Sequence, residues 1–159
     1  MKRYPFTTNT PEAANIRDGH DAHAGRALTA WLRLARVYQK VDHASTERLR
    51  AWDLSVAQFD ALTQVRAAEG LMQCDLAGRL LVTKGNISQL LDRLEARGLL
   101  ARRKEGRASR LYLTDAGRAL MDEVTPGQEA FIASQLGALA EEDLRALQAA
   151  LRRLDRALP

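Results

Sequence analysis

Cysteine and aromatic residues are scarce in this chain of 159 residues, and each scarcity excludes something. A single cysteine, Cys74, rules out an intramolecular disulfide and agrees with a reducing compartment. Aromatics at 5%, in a chain where Ala, Leu and Arg recur throughout, favour helices over strands. No run approaches the roughly 18 apolar residues of a membrane span, and the amino-terminal segment lacks the apolar core of a signal peptide. A cytoplasmic protein with no membrane partner is expected. Internal repeats and low-complexity tracts are missing as well. So are a Ser-His-Asp spacing, a glycine-rich phosphate loop and a carboxylate pair, which leaves no basis for an enzyme mechanism, a catalytic residue or a cofactor.

What is present is an ordinary globular composition, 46% hydrophobic and 28% charged. The length suits one domain, or two small ones sharing a core, and needs neither disulfide nor metal to fold. The net charge of +4 is unevenly spread. Residues 1–71 carry 10 basic and 8 acidic side chains, residues 72–110 carry 9 and 4, and residues 111–159 carry 5 and 8. A compact basic segment between near-neutral and acidic flanks points to a polyanion, most simply nucleic acid, which the motifs below narrow to double-stranded DNA.

Met1 to about Ala22 shows no sustained periodicity and reads as a mobile arm. From about Ala24 to Arg50, Leu28, Trp31, Ala35 and Tyr38 form one helical stripe, and Leu34, Val37 and Val41 an adjacent one. Ser55 is an N-cap for a helix carrying Val56, Phe59, Leu62 and Val65, which Gly70 ends. Residues 72–82 read as a short helix with Leu76, Ala77, Leu80 and Leu81 inward. After a tight turn, Thr83 caps a helix over Lys84–Arg97 with Ile87, Leu90, Leu91 and Leu94 on one face and Gly98 as its stop. Two short helices with a tight turn make a helix-turn-helix. Leu99–Lys104 and Arg110–Leu113 follow as a hairpin, and Thr114 or Asp115 caps the next helix, so the unit is a winged helix with a two-stranded β-wing. Pro126-Gly127 is expected to kink or break that last helix. From about Glu141, Leu144, Leu147, Leu151, Leu154 and Leu158 are spaced 3, 4, 3 and 4 apart, the narrow seam of a helix-to-helix contact and hence of a dimer.

The face of the Lys84–Arg97 helix opposite its apolar quartet is centred on Gly85, Gln89 and Ala96, with Ser88, Asp92 and Arg93 beside them. Such a small, hydrogen-bonding face can enter a major groove and read base edges. Thr83, Lys84, Asn86 and the free N–H groups of the first turn can meet phosphates. Arg97, Arg102, Arg103, Lys104, Arg107 and Arg110 place six basic residues in fourteen around the hairpin. Any one of them alone reads as a solvated surface charge; the set beside a helix-turn-helix reads as a DNA contact. Asp92 would repel phosphates, so it is expected to orient a nearby arginine.

The run from Asp75 to Leu100, DLAGRLLVTKGNISQLLDRLEARGLL, followed by Leu113-Thr114-Asp115-Ala116-Gly117, resembles the MarR family of dimeric transcription regulators, and the likeness covers about residues 24–158. The resemblance implies a homodimer, a DNA operator and a small-molecule effector. Glu105-Gly106-Arg107 stands where the family has Asp-x-Arg in its wing loop, and Arg107 resembles the family's minor-groove arginine. Gln89 stands where many members have arginine. The family's effectors are small, often aromatic anions held in a crevice, which makes Trp31, Tyr38, Arg33 and Arg36 candidate ligand residues, against a plainer reading of Trp31 and Tyr38 as packing at the dimer interface.

His20, His23 and His43 do not complete a metal site, since no cysteine or paired carboxylate joins them. Cys74 is expected to be a partly buried, unreactive thiol. The expected organisation is an arm over residues 1–22, a helical dimerisation region over 23–54 and 115–159, and a winged helix-turn-helix lobe over 55–114. The competing reading is a helical protein-interaction module of this fold that has lost DNA binding.

Overall fold

The computed structural model describes residues 11–158 except position 107, with side chains from residue 22 onward. Two units are distinguished, one ending at Lys40 and one beginning at Val41. Helix α1 (Pro11–Leu49) starts inside the segment expected to be an arm, of which residues 1–10 lie outside the described residues. Proline suits a helix start, where its missing N–H has no partner to lose and its φ is already helical. The residues after it, Glu12-Ala13-Ala14, are strong helix formers without an apolar stripe, so propensity sets this stretch where periodicity is silent. Up to Lys40 the helix exposes Leu28, Trp31, Leu32, Val37 and Tyr38.

The second unit continues with the end of α1, a single 3₁₀ turn at Arg50–Trp52, and α2 (Val56–Ala67). Ser55 makes a full capping box: its side chain accepts from the Gln58 N–H, and the Gln58 side chain accepts from the Ser55 N–H. The short strand β1 (Leu71–Met72), α3 (Gln73–Arg79) and α4 (Lys84–Ala96) follow. Strands β2 (Leu100–Glu105) and β3 (Ala108–Leu113) form the hairpin, and α5 (Asp115–Leu136) and α6 (Glu141–Ala157) complete the chain. The sheet is antiparallel with order β1-β3-β2; Leu71 pairs with Leu111, and Arg102 also faces Leu111.

Four expectations change. The sheet has three strands, because β1 adds to the two-stranded wing; two residues are too few to show an alternation. Hairpin strand β3 begins at Ala108, two positions before the expected Arg110. Of the kink or break expected at Pro126, the break does not occur: helix α5 continues to Leu136. Leu81 does not point inward: it is exposed and has a φ of 52° in the turn between α3 and α4.

One core joins these elements. Leu62 and Val65 of α2, Leu76 of α3, Ile87, Leu91 and Leu94 of α4, Leu111 and Leu113 of β3, and Met121 and Val124 of α5 are buried together. Each large side chain fully removed from water stabilises the fold by about 1.5–3 kcal/mol. Thr114 caps α5, its side chain accepting the Gly117 N–H at 3.0 Å and donating to Gly98 O. A Cβ on Gly117 would lie 2.0 Å from the carbonyl oxygen of Leu99, a backbone atom that cannot swing aside. Gly117→Ala is therefore expected to destabilise the protein by about 3 kcal/mol, the upper range for overpacking. A thermal or urea unfolding midpoint equal to wild type would contradict this approach.

Candidate nucleic-acid interface

Helix α4 presents one face to the core and the opposite one to solvent. Thr83 opens it, its side chain accepting the Asn86 N–H at 3.3 Å, which is worth about 1 kcal/mol. Gly98, at φ 67°, closes it: Gly98 N–H donates to Glu95 O at 2.8 Å and Leu99 N–H to Leu94 O at 3.0 Å, the paired bonds of a Schellman turn. Between these ends Ile87, Leu91 and Leu94 are buried, while Lys84, Gly85, Asn86, Gln89 and Arg93 are exposed. Gly85, Gln89 and Arg93 are spaced four apart and form one outward row. Nothing lies within 4 Å of a Cβ built on Gly85, so packing does not demand glycine there. Its effect is to keep the outer surface low.

Ser88, expected on the outward face, is half-buried and engaged within the fold. Its hydroxyl donates to Lys84 O at 3.1 Å and accepts from Gln73 Nε2 at 2.9 Å, bracing α4 against α3. Gln73 escaped sequence reasoning because the contact joins residues that no periodicity connects.

Asp92 does orient an arginine, and the partner is Arg102 of β2. Arg102 also reaches Glu95 through Nε at 2.9 Å and Nη2 at 2.6 Å, and its backbone N–H donates to Glu95 Oε1 at 3.1 Å. Partial burial by itself lowers the Arg102 pKa, but the hydrogen bonds to Asp92 and Glu95 outweigh it and hold the guanidinium above its ordinary value. Arg102 thus ties the wing to α4 and cancels acidic charge on it. Its strand position gives the signal: Arg102 and Leu111 are direct cross-strand partners, and Leu111 is buried.

The other face of the hairpin carries a second network. Arg110 Nε lies 2.6 Å from Glu105 Oε2, and Arg110 Nη1 donates to Gly70 O at 2.9 Å. Tyr112 donates to Glu105 Oε1 at 3.4 Å, and the Arg103 guanidinium stacks on the Tyr112 ring, 4.6 Å from its centroid. Arg110, expected to meet DNA, is paired with the acid five residues earlier and bonded to the Gly70 carbonyl, so it joins β3 to β2 and to the turn before β1. Arg97 is also internal, donating to the carbonyls of Trp52 and Asp53. Arg103 and Lys104 are exposed, and Arg107 lies outside the described residues. Among the described residues, Lys84, Arg93 and Lys104 make no salt bridge.

The remaining candidates lie elsewhere. Trp31 and Tyr38, 62% and 65% exposed, sit two turns apart on α1 with the exposed Arg33 and Arg36 between them. On α6, Leu144 is half-buried and Leu147, Leu151, Leu154 and Leu158 are exposed. His23 and His43 are exposed, the His20 side chain is outside the described residues, and no cluster among the described residues could hold a metal ion. Cys74 is exposed where a partly buried thiol was expected, since it occupies the outer side of the first turn of α3; its Sγ is 3.5 Å from Asp75 Oδ1. No helix among the described residues is long and apolar enough to cross a membrane.

A sequence model of the MarR family matches residues 52–111. An HTH-type transcriptional regulator of Bacillus cereus is 39% identical over 104 residues, 65% of this chain and 71% of the relative. The HTH-type transcriptional repressor MdtR of Bacillus subtilis (strain 168) is 32% identical over 122 residues, 75% of this chain and 77% of MdtR. Among solved structures, a mutant MarR from E. coli complexed with operator DNA has a TM-score of 0.74 at 25% identity, covering 84% of this chain and 96% of that one. A Mycobacterium tuberculosis MarR family protein in complex with salicylic acid has a TM-score of 0.61 at 27% identity, covering 76% and 92%. With a winged helix-turn-helix built as described and relatives of this similarity, the chain belongs to the MarR family of DNA-binding, HTH-type transcriptional regulators.

Proposed function

We propose that this regulator is a cytoplasmic homodimeric repressor that holds a near-palindromic operator through two copies of α4 and the β2–β3 wing, and releases it when a small phenolic or aromatic anionic ligand binds. The observation that carries the proposal is the exposed row Gly85, Gln89 and Arg93, flanked by Lys84 and Asn86 at the amino end of α4 and by Arg103 and Lys104 on β2. In this reading residues 55–114 form the DNA-binding lobe, and residues 23–54 and 115–159 the dimerisation region. Gln89 reads a base edge, since its amide offers both a donor and an acceptor. Thr83, Lys84 and Asn86 meet phosphates at the positive end of the helix dipole, and Arg93, in the last turn of α4, meets phosphate through its own charge. Arg103 and Lys104 meet the flanking backbone, and Arg107, at the wing tip, meets the minor groove. Half-sites then lie roughly 10 bp apart, one turn of the duplex.

Exposed leucines along α6 and the apolar stripe on α1 support dimerisation, because surfaces of that kind are ordinarily covered. Repression is supported by the likeness to MdtR, and ligand release by the salicylic acid complex of the M. tuberculosis relative. Trp31 and Tyr38 offer stacking surface, and Arg33 or Arg36 a cation for an anionic ligand. For tenfold derepression the ligand must prefer the non-binding arrangement by about 1.4 kcal/mol.

Two substitutions separate base reading from phosphate contact. Gln89→Ala is expected to relax selectivity at one position per half-site, costing about 1–3 kcal/mol in discrimination. Lys104→Ala is expected to weaken all sequences alike and to lower the slope of log affinity against log salt by roughly 0.9. Mobility-shift titrations over operator variants and salt concentrations measure both; equal weakening of every sequence by Gln89→Ala would reduce Gln89 to a phosphate contact. For assembly, sedimentation at micromolar concentration is expected to give a dimer that Leu151→Glu disrupts, because the substitution buries an unpaired charge. A monomeric wild type would refute the model. For regulation, salicylate is expected to quench tryptophan fluorescence and weaken operator binding, and Trp31→Ala to abolish that response while ligand-free DNA binding persists. A response as strong as that of wild type places the site elsewhere.

A further inference from the structure

Leu81 is conformationally and chemically out of place. Helix α3 ends in a complete Schellman turn, in which Leu81 N–H donates to Gly78 O at 3.2 Å and Val82 N–H to Ala77 O at 3.1 Å. That geometry puts residue 81 in the left-handed region, at φ 52°, where a Cβ crowds the following carbonyl. The equivalent turn at the end of α4 uses glycine, Gly98 at φ 67°. A leucine in this conformation lowers the folding equilibrium constant roughly five- to thirtyfold. Nothing among the described residues offsets the loss, because the Leu81 side chain is 92% exposed and joins no part of the core. A strained backbone holding an apolar side chain out in water is the kind of outlier from which a functional contact is inferred.

Position in the chain identifies what the side chain would meet. Two peptide units separate Leu81 from Thr83, so their Cα atoms are at most about 7.6 Å apart. Thr83 caps α4, and the exposed Lys84 and Gly85 follow at the amino end that faces the duplex in the function proposed above. Gly78 and Arg79, on the near end of α3, are exposed too. A lone leucine among polar, small and cationic neighbours is no docking patch for a protein, which needs a contiguous apolar area. It does match the edge of a DNA groove, where deoxyribose rings lie between the phosphates and offer the apolar surface.

We propose that Leu81 is a DNA-contacting residue, packing on the deoxyribose beside the phosphate that meets the amino end of α4. The proposal rests on the reading of α4 as the recognition helix. It predicts effects of opposite sign on folding and binding, which a purely structural role does not.

The test uses the full chain and a DNA fragment carrying its operator. Leu81→Gly is expected to raise the thermal unfolding midpoint by relieving the left-handed leucine, and to weaken operator binding about tenfold. Leu81→Asn, which tolerates the same backbone, is expected to weaken binding similarly, while Leu81→Met, still apolar, stays within about twofold of wild type. The salt slope is expected to be unchanged in all three, since no cation is lost. Unaltered affinity in Leu81→Gly overturns the contact, as does a weakening in Leu81→Met equal to that in Leu81→Asn. A changed oligomeric state in Leu81→Asn assigns the residue to a contact between protein copies and also overturns it. If wild type shows no salt-dependent operator binding, the reading of α4 itself fails; if wild type binds and Leu81→Gly is its equal, only the Leu81 contact fails.

Discussion

The winged helix-turn-helix turns on the backbone around Leu99. The N–H of this residue closes α4, and its carbonyl accepts the Thr114 N–H at 3.2 Å. The same carbonyl lies so close to Gly117 that no larger residue fits. Thr114 adds two further bonds, to Gly98 O and from the Gly117 N–H. The end of α4, the base of the wing and the start of α5 therefore meet within a few residues, with backbone atoms in direct contact. Side chains in such a place could repack around a displacement, but backbone at this separation cannot.

Charge in the lobe is divided between holding the fold and meeting a ligand. Of the basic residues in and around the hairpin, Arg97, Arg102 and Arg110 are consumed by internal acceptors, each fixing one element to another. Arg102 is the most instructive, because the acids it binds sit on α4, the helix proposed to enter the groove. Left uncompensated, Asp92 would place negative charge beside phosphate; paired, it becomes part of the joint between helix and wing. Counting cations in the segment therefore overstates what is available to DNA. On α4 and the hairpin, the described cations that are exposed and outside any salt bridge are fewer: Lys84, Arg93, Arg103 and Lys104.

What can be read from the sequence follows the range of the interaction. Helix ends are encoded by neighbours, so Ser55, Thr83 and Gly98 are legible, and so is the buried row Ile87, Leu91 and Leu94, whose spacing is a local pattern. Family resemblance supplies the function class, and the charge distribution agrees with it. Illegible features depend on residues far apart in the chain or on the absence of a pattern. Helical spacing alone puts Ser88 outward, because its bond to Gln73 crosses from α3 to α4. Charge alone sends Arg110 to DNA, because its pairing with Glu105 needs the hairpin to be closed. Strand β1 is too short for any alternation, and the start of α1 has helix formers without a stripe. Leu81 misleads for another reason: the apolar spacing of α3 runs on past the point where the helix ends, and a Schellman turn normally announces itself with glycine.

The Asp92, Glu95 and Arg102 cluster also gives α4 an electrical direction. At its amino end the helix has unpaired N–H groups, the positive end of its dipole and Lys84. Toward its carboxyl end, acids and arginines cancel and the dipole is negative. A helix charged in this way attracts a polyanion most strongly at its amino end, with Arg93 the unpaired cation farther along. Orientation is then selected within about 10 Å of the duplex, the screening distance at moderate salt, before any base is touched. An encounter with a polyanion led by the carboxyl end would be held less strongly than one led by the amino end.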